Sequence, residues 1–196
     1  MSVVTLVSGG LDSTLIAHLA REEGLHIYPL FVNYGQRALE AELAACRRSM
    51  AKLGLNNLQI ADLPGFGALI RSGLTDPNQR VIEDAFTPGR NMLFLLVAAA
   101  YAYKVGADAV SIGLLHEETA LFPDQTSGFL SEAENIISRI MGRRIRVLAP
   151  LASFHKDEVV ALAEIKGVEG TYSCHVGGEA PCGNCISCNE FSLRRI

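Results

Sequence analysis

Six consecutive residues carry the first chemical signal of this chain: Ser8-Gly9-Gly10-Leu11-Asp12-Ser13. The glycines permit a tight turn, the serines bring hydroxyls, and Asp12 brings a carboxylate that could hold a metal or orient the loop. Helical spacing follows at once, with Leu11, Leu15, Ile16 and Leu19 on one face. A glycine turn that opens a helix aims unpaired backbone N–H groups and the positive end of the helix dipole at one point. The ligand it predicts is a phosphate group. The string is not a Walker loop, since no Gly-Lys-Ser/Thr follows, and it is not Gly-x-Gly-x-x-Gly.

A second cluster lies near the other end. Cys174, Cys182, Cys185 and Cys188 are spaced Cys-x7-Cys-x2-Cys-x2-Cys, with Gly177-Gly178 and Gly183 able to wrap the chain around an ion. Four thiolates suit a closed structural zinc site. The Cys-x2-Cys-x2-Cys run also suits a four-iron cluster whose fourth ligand lies elsewhere, and unliganded thiols are a third reading. Zinc is favoured because all four ligands share one segment and nothing nearby suggests redox work. The remaining cysteine, Cys46, sits in an alanine-rich helix and reads as a small buried hydrophobe.

Weaker signals fall between the two. Tyr34-Gly35-Gln36-Arg37 follows a strand. Phe86-Thr87-Pro88-Gly89-Arg90-Asn91 precedes a strongly apolar helix, with Asn91 as its expected N-cap. Phe122-Pro123-Asp124 follows a later strand, and Pro150-Leu151 leads into Lys156-Asp157-Glu158 at a helix start. Each alone fits turn or capping chemistry, and Lys156 alone reads as a surface lysine.

The elements that must position these residues alternate. Strands are expected at Val3–Val7, His26–Asn33, Leu58–Ala61, Ala109–Ile112 and Ile145–Leu148. Helices are expected at Leu11–Glu23, Arg37–Leu53, Asn91–Lys104, Gly128–Met141 and from Ser153 or Phe154 to about Lys166. This rhythm predicts an α/β fold, a doubly wound, Rossmann-like parallel five-stranded sheet, with ligands beyond the carboxyl ends of its strands. Residues 1–170 form the expected nucleotide-binding catalytic domain and 171–196 a zinc-binding tail packed on it. The Gly- and Pro-rich stretch 62–87 reads as a lid or substrate loop, or as a disordered insertion.

Composition narrows the class. The 196 residues are 49% hydrophobic and 19% charged, so the chain is globular and can bury a substantial core. A net charge of −4 argues against a broad nucleic-acid face. Arg143, Arg144 and Arg146 could make a local basic patch, but solvated surface is the preferred reading. No basic segment precedes the first strand, and the longest apolar run, Met92–Tyr103, is too short for a bilayer span. The expectation is a cytoplasmic protein without a membrane partner.

The opening loop resembles the pyrophosphate loop of the ATP pyrophosphatase (N-type) superfamily, whose members cleave ATP between the α and β phosphates and adenylate a carbonyl or carboxylate. From Ser8 to Phe191 the motifs together, in this order, resemble the QueC family of queuosine biosynthesis, and the stretch from Ser173 to Cys188 is the most specific part. The resemblance implies an ATP-dependent ligase that adenylates 7-carboxy-7-deazaguanine, passes it to ammonia, and after a second activation gives 7-cyano-7-deazaguanine. It implies Mg2+ on the phosphates, one structural Zn2+ on the four cysteines, and a homodimer. Ser8, Gly9, Gly10, Leu11, Asp12 and Ser13 would hold the pyrophosphate. Lys156 and Arg90 would add positive charge to it, making them catalytic with Asp12 and Ser13, and Arg37 would meet a phosphate or the substrate carboxylate. Tyr34, Gln36, Asn91, Glu118, Phe122 and Asp124 would hold the substrate.

The chain departs from the family in three places. The family loop Tyr-Pro-Asp-Cys-Arg is here Phe122-Pro123-Asp124-Gln125-Thr126, Ala38 replaces a histidine, and the chain is shorter than usual. Adenylation should survive these changes, while nitrile formation or substrate choice could change. An alternative is therefore a diverged relative of the kind found in anti-phage gene clusters, joining the activated deazaguanine to an amine of a partner protein. Two further alternatives are another pyrophosphate-loop enzyme, such as a tRNA thiolase or an amidotransferase synthetase domain, and a binding module that keeps only the nucleotide pocket.

Overall fold

Val3, Val4, Leu30, Phe31, Val32 and Val110 form near-continuous apolar runs, as strands buried on both faces require. In the computed structural model, which describes residues 1–192, these runs become β1 (Ser2–Leu6), β2 (His26–Asn33) and β4 (Ala109–Ser111). With β3 (Gln59–Asp62) and β5 (Arg146–Leu148) they make one five-stranded sheet in the order β3-β2-β1-β4-β5, and every pairing is parallel.

Helices cover both faces: α1 (Leu11–Glu22), α2 (Leu39–Lys52), α3 (Pro64–Ile70), α4 (Arg90–Val105), α5 (Ser127–Ile140), α6 (Lys156–Ile165) and α7 (Ile186–Ser192). On one face Leu95, Ala98, Ala99 and Ala102 of α4 and Ala133 and Ile137 of α5 pack on Val4, Leu30 and Val110. On the other, Ala17 of α1 and Cys46 and Met50 of α2 pack on Phe31, and Leu15 and Ile16 meet Val159 of α6. Burying each large aliphatic or aromatic side chain contributes about 1.5–3 kcal/mol. The strand order reverses between β1 and β4, so chain crossovers diverge there and leave a crevice beyond both carboxyl ends.

Several sequence expectations are corrected. Asn91 is not an N-cap: Gly89, at φ +76°, precedes α4, and Asn91 lies in its first turn, donating to Asp124 O at 2.9 Å. α6 begins at Lys156 rather than Ser153 or Phe154, because the Glu158 carboxylate accepts the His155 N–H at 2.7 Å and caps the start there. The stretch 62–87 holds α3, opened by Pro64 in its first turn. The Ser72 and Thr87 hydroxyls, 2.6 Å apart, then tie the ends of the following loop together. α7 had no expectation. Residues 193–196 of the expected tail lie outside the described residues.

Candidate active site

The β1–α1 loop builds one wall of the crevice. Gly9 adopts φ +83°, and an added Cβ would press on Glu42 O and lie 2.6 Å from Cys46 N, so only glycine lets the loop sit on α2. Ser8 N–H donates to Ser13 Oγ at 3.1 Å, and Ser13 Oγ donates to Gly10 O at 3.2 Å. Thr14 is the first amide of α1 to reach a helical acceptor, Gly10 O at 3.1 Å. The amides of residues 11–13 therefore stay at the open helix end, the arrangement that binds anions.

Charged groups face this loop. Lys156 Nζ, largely buried, lies 2.8 and 3.0 Å from the two Asp12 carboxylate oxygens and 3.4 Å from Glu190 Oε2. One ammonium thus joins α1, α6 and α7. Burial pushes the Glu190 carboxyl up, and Lys156 partly offsets that. Arg90 sits over the rings of Tyr34 and Phe94, 5.8 and 6.0 Å from their centroids, within cation–π range. Gln36 Nε2 donates to Glu42 Oε2 at 3.0 Å, while Gln36 Oε1 accepts the Tyr34 N–H at 2.9 Å. Burial pushes the Glu42 carboxyl up to about 7, against the Gln36 bond and the Arg90 charge. Burial, then Arg90 and Lys156, hold the His175 imidazole down to about 4, and its Nδ1 has no protein partner among the described residues.

These groups enclose a cavity of about 340 Å³, large enough for a small ligand. Of the expected site residues, Ser8, Gly10, Leu11, Asp12, Ser13, Tyr34, Gln36, Arg90, Asn91, Phe122 and Lys156 line it. Gly9 faces α2 instead. Arg37 turns away, with Nη1 donating to Gly73 O at 3.1 Å. Glu118 is exposed, and Asp124 contributes through its carbonyl to Asn91. Phe122 of the lining stacks on Phe86, centroids 5.0 Å apart. Gln125, which replaces the family cysteine, lines the cavity and accepts the Leu121 and Phe122 N–H groups at 2.9 Å each.

The sequence reading missed Glu42, His116, His175 and Glu190, all of which line the cavity. The nearness in sequence of Glu42 to Tyr34-Gly35-Gln36-Arg37, in the loop just before α2, was the available signal; the others depend on long-range packing.

The tail supplies the remaining wall. Tyr172 N–H donates to Gly9 O at 2.8 Å, and Ser173, His175, Ile186, Ser187 and Glu190 line the cavity. Cys174, Cys182, Cys185 and Cys188 place their sulfurs within 4.8 Å of one another. Backbone N–H groups of Cys182, Asn184 and Cys188 point at the sulfurs of Cys174, Cys182 and Cys185, at 3.3, 3.5 and 3.4 Å. A donor set of this kind could bind a metal. Among the described residues no helix is long and apolar enough to cross a membrane.

Comparison with known proteins shows the family and the fold. The family model described as Queuosine biosynthesis protein QueC matches residues 2–194. The chain is 35% identical over 202 residues to the 7-cyano-7-deazaguanine synthase of a Nitratiruptor species, covering 96% of this chain and 90% of that protein. It is 34% identical over 203 residues to the 7-cyano-7-deazaguanine synthase of Methanobrevibacter smithii, covering 94% and 88%. Among solved structures, NMN synthetase from Francisella tularensis shares the fold at a TM-score of 0.57 and 17% identity, covering 91% of this chain and 68% of that one.

Proposed function

This chain belongs to the QueC family, and from that premise we propose that it is an ATP-dependent carbon–nitrogen ligase acting on 7-carboxy-7-deazaguanine. A carboxylate oxygen of the substrate attacks the α-phosphorus of ATP, and pyrophosphate leaves. Ammonia attacks the acyl carbon and AMP leaves, giving the amide. A second adenylation, on the amide oxygen, releases another pyrophosphate, and loss of that oxygen with AMP and of both N–H protons gives the nitrile.

The chain's work in this scheme is positioning and charge stabilisation. The amides of residues 11–13 and the hydroxyls of Ser8 and Ser13 hold the phosphates. Lys156, steered by Asp12, meets the charge that gathers on departing pyrophosphate, and Arg90 adds a second cation. Tyr34, Gln36, Asn91 and Phe122 shape the substrate end, and Asp124 supports Asn91. Arg37 contributes through the loop it anchors at the Gly73 carbonyl, while Glu118, expected at the substrate end, stands exposed outside the cavity lining. Magnesium, held on the phosphates with Asp12, would neutralise them. Zinc is the metal assigned to the tail, since a closed tetrathiolate suits it. We read residues 1–170 as the catalytic domain and 171–196 as the tail, in a cytoplasmic protein. Exposed Leu96 and Tyr103 on α4 and Ile136 and Ile140 on α5 support pairing of two copies.

The observation that carries the reading is the Lys156–Asp12 pair, 2.8 Å apart, in the cavity onto which the Ser8–Ser13 loop opens. Incubation with ATP, Mg2+, ammonium and 7-carboxy-7-deazaguanine should release AMP and pyrophosphate and give the nitrile by mass spectrometry. AMP without nitrile, or mass added to a partner protein, would support the conjugating relative. No AMP with any deazapurine acid would overturn the ligase.

A further inference from the structure

Beside the cavity, which His116 lines, three side chains able to ligate a metal converge from two loops. His116 lies in the loop after β4, Glu118 in the single turn Glu117–Thr119, and His155 directly before α6. One nitrogen or oxygen from each lies within 4.8 Å of the others. The imidazoles are 4.6 Å apart between centroids, with ring planes 29° apart, and His116 Nδ1 is 3.9 Å from Glu118 Oε2. Both histidines are half-buried.

The backbone beneath them is fastened. His116 N–H donates to Phe154 O at 3.0 Å and so joins the two loops directly. The Thr119 hydroxyl donates to His116 O at 2.7 Å. The Ser127 hydroxyl and amide donate to Glu117 Oε2 at 2.7 and 3.1 Å, anchoring the turn that carries Glu118. Stacking alone accounts for two flat rings in contact. The Glu118 N–H also donates to His116 Nδ1 at 3.3 Å, which fixes that ring against the turn and leaves Nε2 as the His116 atom that would meet a cation; neither contact requires the Glu118 carboxylate itself to lie beside both rings.

We propose that His116, His155 and Glu118 form a second metal site, separate from the cysteine tail. Two imidazoles and one carboxylate select a borderline divalent cation, such as zinc or cobalt, over magnesium or calcium. Such a set leaves coordination positions open to water or an oxyanion. A cation there clasps the loop after β4 to the start of α6, one residue before Lys156. The assignment rests on these three side chains and not on the ligase reading.

The test uses the full chain with its tail metal in place, titrated with Co2+ and followed by visible absorption and elemental analysis. Tetrathiolate sites give intense thiolate-to-cobalt charge-transfer bands, whereas an imidazole–carboxylate site gives only weak d–d bands. The wild type should gain one equivalent of Co2+ with d–d bands alone. The double variant His116→Gln, His155→Ala should lose that equivalent, with affinity falling more than about 100-fold, beyond the effect of losing an outer-sphere partner. Glu118→Gln, at an exposed position that tolerates change, should weaken it at least about tenfold. Equal uptake and identical spectra in the wild type and Glu118→Gln, or in the wild type and a double variant with unchanged circular dichroism, would overturn the site.

Discussion

Lys156 is the cation on which the proposed phosphate chemistry turns. Lys156→Met keeps the aliphatic stem and removes the charge. We expect AMP release to fall about 100- to 1,000-fold, the usual cost of deleting one transition-state donor, with circular dichroism unchanged; wild-type turnover would remove Lys156 from the mechanism. Glu42 makes a different prediction. Its carboxyl rises from the ordinary 4.5 to about 7 in the folded protein, so between those values the folded state binds the extra proton. Stability therefore falls as pH rises through that window. Glu42→Gln should flatten this dependence in urea unfolding measured across it, and an unchanged slope would show that another group is responsible. The Ser8–Ser13 loop could be read directly because its chemistry is local: glycines, hydroxyls and a helix start lie side by side. Glu42 and His175 could not, since their altered proton affinities come first from burial, which only long-range packing creates. Arg37 was misleading for the same reason, as its charge is spent on the Gly73 carbonyl.

The elements carry two further predictions. Gly9→Ala places a methyl against α2 at a positive φ, and should cost more than about 1 kcal/mol as well as disturbing the loop's amides. Thermal unfolding and ATP binding read the two effects separately. Thr5 of β1 and Ser111 of β4 are register partners, and both hydroxyls are buried without a hydrogen-bond partner among the described residues. Thr5→Val keeps the shape and removes the unpaired group, and should stabilise by about 1 kcal/mol, a rise of about 2–4 °C in Tm. A lower Tm would mean that the hydroxyl has a bound water. Long periodic elements were legible to within about two residues: β2 agrees in full, and α1, α4 and α5 nearly so. α3 and α7 were not, because seven residues hold too few turns to show a period. Asn91 was misassigned because Gly89 already supplies the left-handed turn that starts α4.

Taken whole, the molecule builds its cavity from segments at opposite ends of the chain. The tail was legible as a metal knot from its cysteine spacing. That it forms a wall was not legible, since Tyr172 on Gly9 and Glu190 on Lys156 are contacts that only the folded sheet creates. Stripping the tail metal with a chelator should therefore lower Tm and weaken ATP binding together. Full nucleotide affinity after the thiols are emptied would mean that the wall stands without its ion. The same arrangement sets a timetable for synthesis. At about 5–20 residues per second, residues 8–13 leave the ribosome roughly 8–30 seconds before residues 172–190 do. During that interval the nascent chain can assemble strands and core while remaining catalytically silent, and ATP meets a finished enzyme only when translation has delivered the last wall.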